Sequence, residues 1–93
     1  MKALWNDKII AESQDTKVVE GNHYFPPESV KMEYLKKNDE ITTSPWKGDA
    51  HFFDLEIDGQ IIASAAWYYP EPKQEVSQIK NHIAFWKGVE VKS

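Results

Sequence analysis

Lys47 follows the Pro45-Trp46 pair and precedes Gly48, where the chain must turn. A lysine on a turn beside aromatic rings can pair with an anionic or carbonyl group of a ligand. Otherwise it extends its ammonium into water along an apolar stem. Trp67 and Tyr69 are two residues apart in a predicted strand and therefore share one sheet face. Trp86 falls on the last strand of the main run and Trp5 on the first. If these rings converge they form an aromatic wall, which favours flat rings, cyclic amides or cations through stacking and cation–π attraction. If they do not, they are ordinary core. With such a wall, Lys47, Glu20, Asn22 and Tyr24 are the side chains placed to supply polar contacts. A second chemistry uses Glu12 and Glu20, on neighbouring predicted strands, as an acid–base pair split by burial, with Lys47 beside them. Its substrate would be a small carbonyl compound or a nucleotide, and it requires the three side chains to converge. Exposed strand residues are the plainer reading of both glutamates.

Other chemistries lack their residues. His23, His51 and His82 are scattered, and none belongs to a His-Glu-x-x-His metal motif. His51 and Asp54, three apart in a strand, point to opposite faces, so no direct relay joins them. His51 does share a face with Phe53, near Lys47. Ser13 and Ser44 lie outside any Gly-x-Ser-x-Gly elbow. The four glycines are spread along the chain as turn residues, which leaves no phosphate-cradling loop. With no cysteine there is no disulfide and no thiolate metal site. No metal and no cofactor is expected.

Net charge −4 and basic residues that are all lysine argue against a nucleic-acid partner, because phosphate and guanine edges are usually read by arginine on a basic face. The N-terminus shows neither an apolar core nor a small-residue cleavage site. The most apolar stretch, residues 61–69, is well short of the roughly 20 residues of a spanning helix. A cytoplasmic protein without a membrane partner is the expectation.

These residues must be held by strands. Lys2-Ala3-Leu4-Trp5 and residues 8–13 flank Asn6-Asp7, both tolerant of positive φ and suited to a tight hairpin. Residues 16–20 are rich in β-branched side chains and end at a Gly21-Asn22 turn. His23-Tyr24-Phe25-Pro26-Pro27 is extended, and Pro27 can open a single helical turn. Lys36-Lys37-Asn38-Asp39-Glu40 reads as a charged loop, and Ile41-Thr42-Thr43-Ser44 as a strand stopped by Pro45. Residues 50–57 alternate, with Phe53, Leu55 and Ile57 on one face. Asp58-Gly59 is a strong hairpin signal, and residues 60–69 return. The small run Ala63-Ser64-Ala65-Ala66 lets another element approach or leaves room for a ligand. Residues 73–80 read as a short helix with Val76 and Ile79 inward. Ile83-Ala84-Phe85-Trp86 is a late strand. Apolar content of 41%, with four Trp, four Tyr and four Phe, gives this chain of 93 residues the means to build one core.

The blocks Trp5 with Ile10-Ala11-Glu12-Ser13, Val19-Glu20-Gly21-Asn22-His23-Tyr24-Phe25-Pro26, Pro45-Trp46-Lys47-Gly48-Asp49-Ala50, Ala66-Trp67-Tyr68-Tyr69-Pro70 and Ile83-Ala84-Phe85-Trp86 together resemble the domain of unknown function 427 family. These are small bacterial proteins sometimes labelled nucleotidyltransferase-like. The resemblance implies a β-tent fold, in which two antiparallel sheets meet at an angle. That fold group also holds zinc-knuckle proteins and the ligand-binding domain of cereblon, with its cage of tryptophans. Members of the family often carry a cysteine before the Pro-aromatic-Lys-Gly block. Ser44 occupies that position here, so no role of that thiol transfers.

Residues 1–93 are thus expected to form one mainly β domain with a short helix near 73–80. A non-catalytic small-molecule binding module fits the residues best, its ligand cyclic or nucleoside-like. Trp67, Tyr69 and Trp86 would stack, and Lys47, Glu20, Asn22 and Tyr24 would make polar contacts. The alternatives are the Glu/Lys enzyme and a protein that docks a partner along a sheet edge.

Overall fold

In the computed structural model, which describes residues 1–93, left-handed residues make the tight turns. Asn6 (φ 47°) and Asp7 (φ 64°) join β1 (Lys2–Trp5) to β2 (Lys8–Glu12). Glu20 (φ 53°) and Gly21 (φ 78°) join β3 (Lys17–Val19) to β4 (Asn22–Tyr24), so this turn falls one residue before the expected Gly21-Asn22. Asp58 (φ 51°) and Gly59 (φ 76°) join β6 (Gly48–Ile57) to β7 (Gln60–Tyr68). Consecutive positive φ values are what a two-residue hairpin between right-twisted strands requires.

The fold is mainly β with antiparallel pairing, as the sequence implies. Hydrogen bonding groups the strands as β2-β1-β9, with β9 spanning Glu90–Lys92, as the β3-β4 hairpin, and as β5-β6-β7-β8, with β5 at Leu35–Ser44 and β8 at Ile83–Phe85. Short 3-10 turns occupy Pro27–Ser29, Met32–Tyr34 and Gln74–Ile79. The last of these is the helix expected near 73–80. It is broken at Val76 (φ −127°, ψ 29°), yet Val76 and Ile79 are buried as the spacing requires.

Lys36-Lys37-Asn38-Asp39-Glu40 belongs to β5 and is not a loop. Lys36 pairs with Asp54 and Lys37 with Phe53, and the register slips before pairing resumes at Ile41 opposite His51. β5 is an outer strand of its sheet, where charged side chains and irregular register discourage pairing with other chains. Polarity here marks an edge rather than an absence of structure.

β6 is apolar on both faces. Phe53, Leu55 and Ile57 face a core shared with Ala3, Ile10, Ala11, Phe25 and Phe85. Ala50 and Phe52 face a second core with Val19, Tyr24, Tyr69, Val76, Ile79 and Ala84. The four-stranded sheet is therefore the middle layer, covered on one side by the β1 sheet and on the other by β3-β4 and the 74–79 turn. No helix is long and apolar enough to cross a membrane.

The small run in β7 serves close approach. Ser64 is buried at φ 54°, inside a slip of the β6–β7 register. A bulge takes a residue's backbone groups out of the ladder, and they then need other partners. The Ser64 N–H donates to Asp54 Oδ1 (2.9 Å), and its carbonyl accepts from Trp86 Nε1 (2.6 Å). Next to it, the Ala65 carbonyl accepts from the Trp86 backbone N–H (3.0 Å). The chain after β8 thus lies directly against the alanine-rich segment.

Gly48 shows a second close approach. Its φ is 109°, and a Cβ there would sit 3.1 Å from the Glu71 carbonyl oxygen. Segment 71–73 is held against this turn by the Lys73 N–H donating to Lys47 O (3.0 Å) and by Lys73 Nζ donating to Pro45 O (2.5 Å). Gly48→Ala should therefore cost of the order of 1–3 kcal/mol in urea unfolding, from backbone strain plus displacement of residue 71. Gly21→Ala, also at positive φ but in open space, should cost about 1 kcal/mol, the strain alone. Equal costs would show that the contact with Glu71 adds nothing.

Candidate functional site

The second face of the four-stranded sheet is a row of paired positions. Thr42 lies opposite Ala50, Phe52 opposite Trp67, and Trp67 opposite Ala84. Tyr69 and Trp86 follow two residues after Trp67 and Ala84 and continue the row. Small Ala50 and Ala84 alternate with rings, so the surface dips between them. The dip is an open concavity of about 280 Å³ lined by Asn22, Thr42, Lys47, Ala50, Phe52, Trp67, Tyr69 and Trp86. It is a hollow in the surface rather than an enclosed chamber.

Of the residues singled out from the sequence, Trp67, Tyr69, Trp86, Lys47 and Asn22 meet at this hollow. Tyr24 and Glu20 do not line it. Tyr24 is wholly buried beneath the wall, where its hydroxyl accepts from Trp67 Nε1 (3.2 Å) and its ring meets Trp67 edge-on at 6.2 Å. It supports the wall and is not available for contact with a ligand. Burial pushes its phenol pKa up, and the Trp67 hydrogen bond only partly offsets this. Glu20 sits on the left-handed turn after β3 and reaches the hollow only through its ion pair with Lys47.

Thr42, Ala50 and Phe52 were not anticipated as lining residues. Their signal lay in the register: once β5 pairs with β6, Thr42 must share a face with Ala50 and hence with Phe52 and Trp67.

Trp67 and Trp86 meet edge to face, with centroids 5.7 Å apart and planes at 76°. Both indole N–H groups are spent inside the protein, on Tyr24 and on Ser64. What the wall presents is ring surface, not donors. Trp86 remains 47% exposed, and the Lys87 ammonium lies 5.2 Å from its ring centroid while donating to Ala63 O (3.2 Å).

Lys47 is the one charged lining residue. Its side chain is only 12% exposed against 49% for Glu20, and its ammonium lies 5.7 Å from the ring centroids of both Trp46 and Tyr69. Desolvation pulls the Lys47 pKa down, but the Glu20 hydrogen bond and the charges of Tyr69, Tyr24 and Glu20 outweigh it, so the net displacement is upward. The Lys47 hydrogen bond and charge hold the Glu20 carboxyl below its ordinary value, against a smaller opposing effect of burial.

Glu12 joins neither residue. It is exposed at the end of β2, opposite Lys2 in another sheet, and the ion-pair partner of Lys47 is Glu20. His51 packs on the opposite face, against Tyr68 at 5.6 Å. His23 Nδ1 meets Thr16 Oγ1 (3.0 Å), and His82 is tied to its own turn through Lys80 O. No group of three or more His, Asp or Glu side chains is arranged to hold a metal ion.

Fold and site define a small antiparallel β domain with an aromatic-walled surface hollow and one lysine at its edge. The chain belongs to the family described as a domain of unknown function (DUF427), whose family model matches residues 1–92. No curated protein gives a significant match.

The Glu20–Lys47 pair sets a pH dependence of known sign. Glu20 has a depressed pKa, so its contribution to stability is present above the ordinary glutamate value and lost as pH falls through the depressed one. Lys47 has a raised pKa, so its contribution is present below the ordinary lysine value and lost as pH rises through the raised one. Carboxyl NMR should place the Glu20 titration lower in the wild type than in Lys47→Met. The coupling from a Glu20→Gln/Lys47→Met double-mutant cycle should be flat through neutral pH and vanish in acid. A Glu20 titration that Lys47→Met leaves unmoved would contradict this.

Proposed function

We propose that the protein is a non-catalytic module that binds a small cyclic or nucleoside-like molecule in the aromatic hollow. The observation that carries this reading is the convergence of Trp67, Tyr69 and Trp86, from the end of β7 and the chain after β8, on one concavity with Lys47 and Asn22. Ligand sites are typically apolar concavities with a few convergent polar groups, and that is the composition here. At about 280 Å³ the hollow falls just below the roughly 300–1,000 Å³ range for ligand sites. A single or fused ring fits this size better than a nucleoside triphosphate. The absence of arginine and of a glycine-rich phosphate loop argues in the same direction.

Stacking would come from ring faces, since neither indole N–H is free. Polar selection would fall to Lys47, Asn22 and Thr42. The acid–base enzyme receives less support, because Glu12 stands apart from the Glu20–Lys47 pair. Edge docking would use β5, the long outer strand, but its charged residues and register slip work against a partner strand.

Titration with a panel of nucleosides, cyclic amides and simple aromatic acids should shift the Trp67 and Trp86 indole signals at millimolar ligand. Trp86→Ala should weaken the ligands that bind by about 1–3 kcal/mol, the worth of one stacked ring. Indole signals that stay fixed across the whole panel would exclude the hollow as a receptor.

A further inference from the structure

We propose that the ligand of the hollow is a flat ring bearing a carboxylate, and that in the free protein the Glu20 carboxylate occupies that group's position on Lys47. This inference rests on the reading of the hollow as a binding site and names the chemical class of its ligand.

The lining carries a single charge, and it is positive. Lys47 is shielded, with its side chain 12% exposed and its ammonium close to the rings of Trp46 and Tyr69. A desolvated ammonium next to an apolar wall needs an anion. Glu20 supplies one, but its position is that of a removable partner. Its side chain is 49% exposed, it stands on the turn between β3 and β4, and it lies outside the lining. Moving into water costs the half-exposed carboxylate little solvation, and the anion that Lys47 then lacks is the one the ligand brings. A ligand carboxylate arriving on a ring would take over the same ammonium, while the ring covers Trp67 and Trp86 and removes apolar surface from water. A carboxylate suits the site better than a phosphate, since one lysine without arginine or a glycine-rich loop matches a single negative charge.

Exchange of one carboxylate for another makes Glu20 a competitor of the ligand, and this separates the proposal from simple aromatic binding. The probes are benzoate and its neutral isostere benzamide, titrated against wild type, Glu20→Gln and Lys47→Met, with the Trp67 and Trp86 indole signals as readout. Benzoate should bind Glu20→Gln about tenfold more tightly than wild type, the scale of one recovered charge-assisted contact. It should lose that gain in a Glu20→Gln/Lys47→Met double variant and keep it in Glu20→Gln/Lys47→Arg. Benzamide should bind wild type and Glu20→Gln alike. Added salt should weaken benzoate and spare benzamide in the wild type, a comparison that needs no variant. Benzamide binding with no benzoate preference for Glu20→Gln would overturn the carboxylate assignment and leave the receptor reading standing. Failure of both probes to move either indole in any variant would likewise overturn the carboxylate assignment, while the receptor reading falls only if the whole panel of nucleosides, cyclic amides and aromatic acids is also silent.

Discussion

A sheet with aromatic residues on both faces must be covered on both faces, and the rest of this molecule follows from that requirement. Phe52 and Phe53 are neighbours in β6, point in opposite directions, and are both buried. Leaving either ring in water would forfeit about 1.5–3 kcal/mol. One face is met by β1 and β2, whose Ala3, Ile10 and Ala11 allow close contact. The other has only a short hairpin, β3-β4, and the 74–79 turn to cover it. These shorter elements bury Ala50, Phe52 and Tyr69 and bring Tyr24 against Trp67, but leave Trp67 half-buried and Trp86 exposed. The concavity is the part of the second face that the available chain does not reach.

That incomplete cover determines which groups meet. The β3-β4 turn brings Glu20 and Asn22 to one margin, and the β5–β6 turn brings Lys47 to the same margin. The Lys47 turn is itself held by segment 71–73, through backbone and side-chain bonds to Lys47 and Pro45. Three loops distant in sequence thus depend on one another. The lysine side chain ends up largely shielded, with its ammonium near the Tyr69 ring and its charge balanced from the solvent side by Glu20. Tyr24 completes the arrangement from below by accepting the Trp67 indole hydrogen bond, which sets the orientation of that ring.

Much of this was legible in the sequence where local chemistry decides. Asn6-Asp7 and Asp58-Gly59 take the left-handed conformations their residue types permit. Trp67 and Tyr69 share a face because strand period demands it, and Val76 and Ile79 turn inward from their spacing. What stayed hidden depends on long-range pairing. Charge in residues 36–40 reads as loop because composition reports exposure, and only the partner β6 shows that the segment is an edge strand. The sequence reads Tyr24 as a polar ligand contact, whereas in the fold its neighbours Trp67 and Tyr69 enclose it. Thr42 becomes a lining residue only through its register with Ala50.

Ser64 shows most clearly how backbone geometry is spent on placing a ring. A serine at φ 54° inside a strand is unfavourable by local rules, and such positions persist only where the surroundings over-determine them. Here they do. Asp54 takes the Ser64 N–H, Asn38 Nδ2 donates both to Asp54 Oδ1 (2.6 Å) and to Ser64 Oγ (3.0 Å), and the Ser64 hydroxyl donates to Glu40. The network leaves no buried side-chain polar atom without a partner. It is anchored on β5 and β6, yet its output is on the other side of the bulge, where the freed Ser64 carbonyl receives the Trp86 indole. An unbulged strand would have committed that carbonyl to its neighbour and left Trp86 without an acceptor. With the acceptor in place, a ring that is nearly half exposed is held in one orientation against Trp67. The bulge thereby anchors an exposed ring that a regular strand would leave without that hydrogen bond.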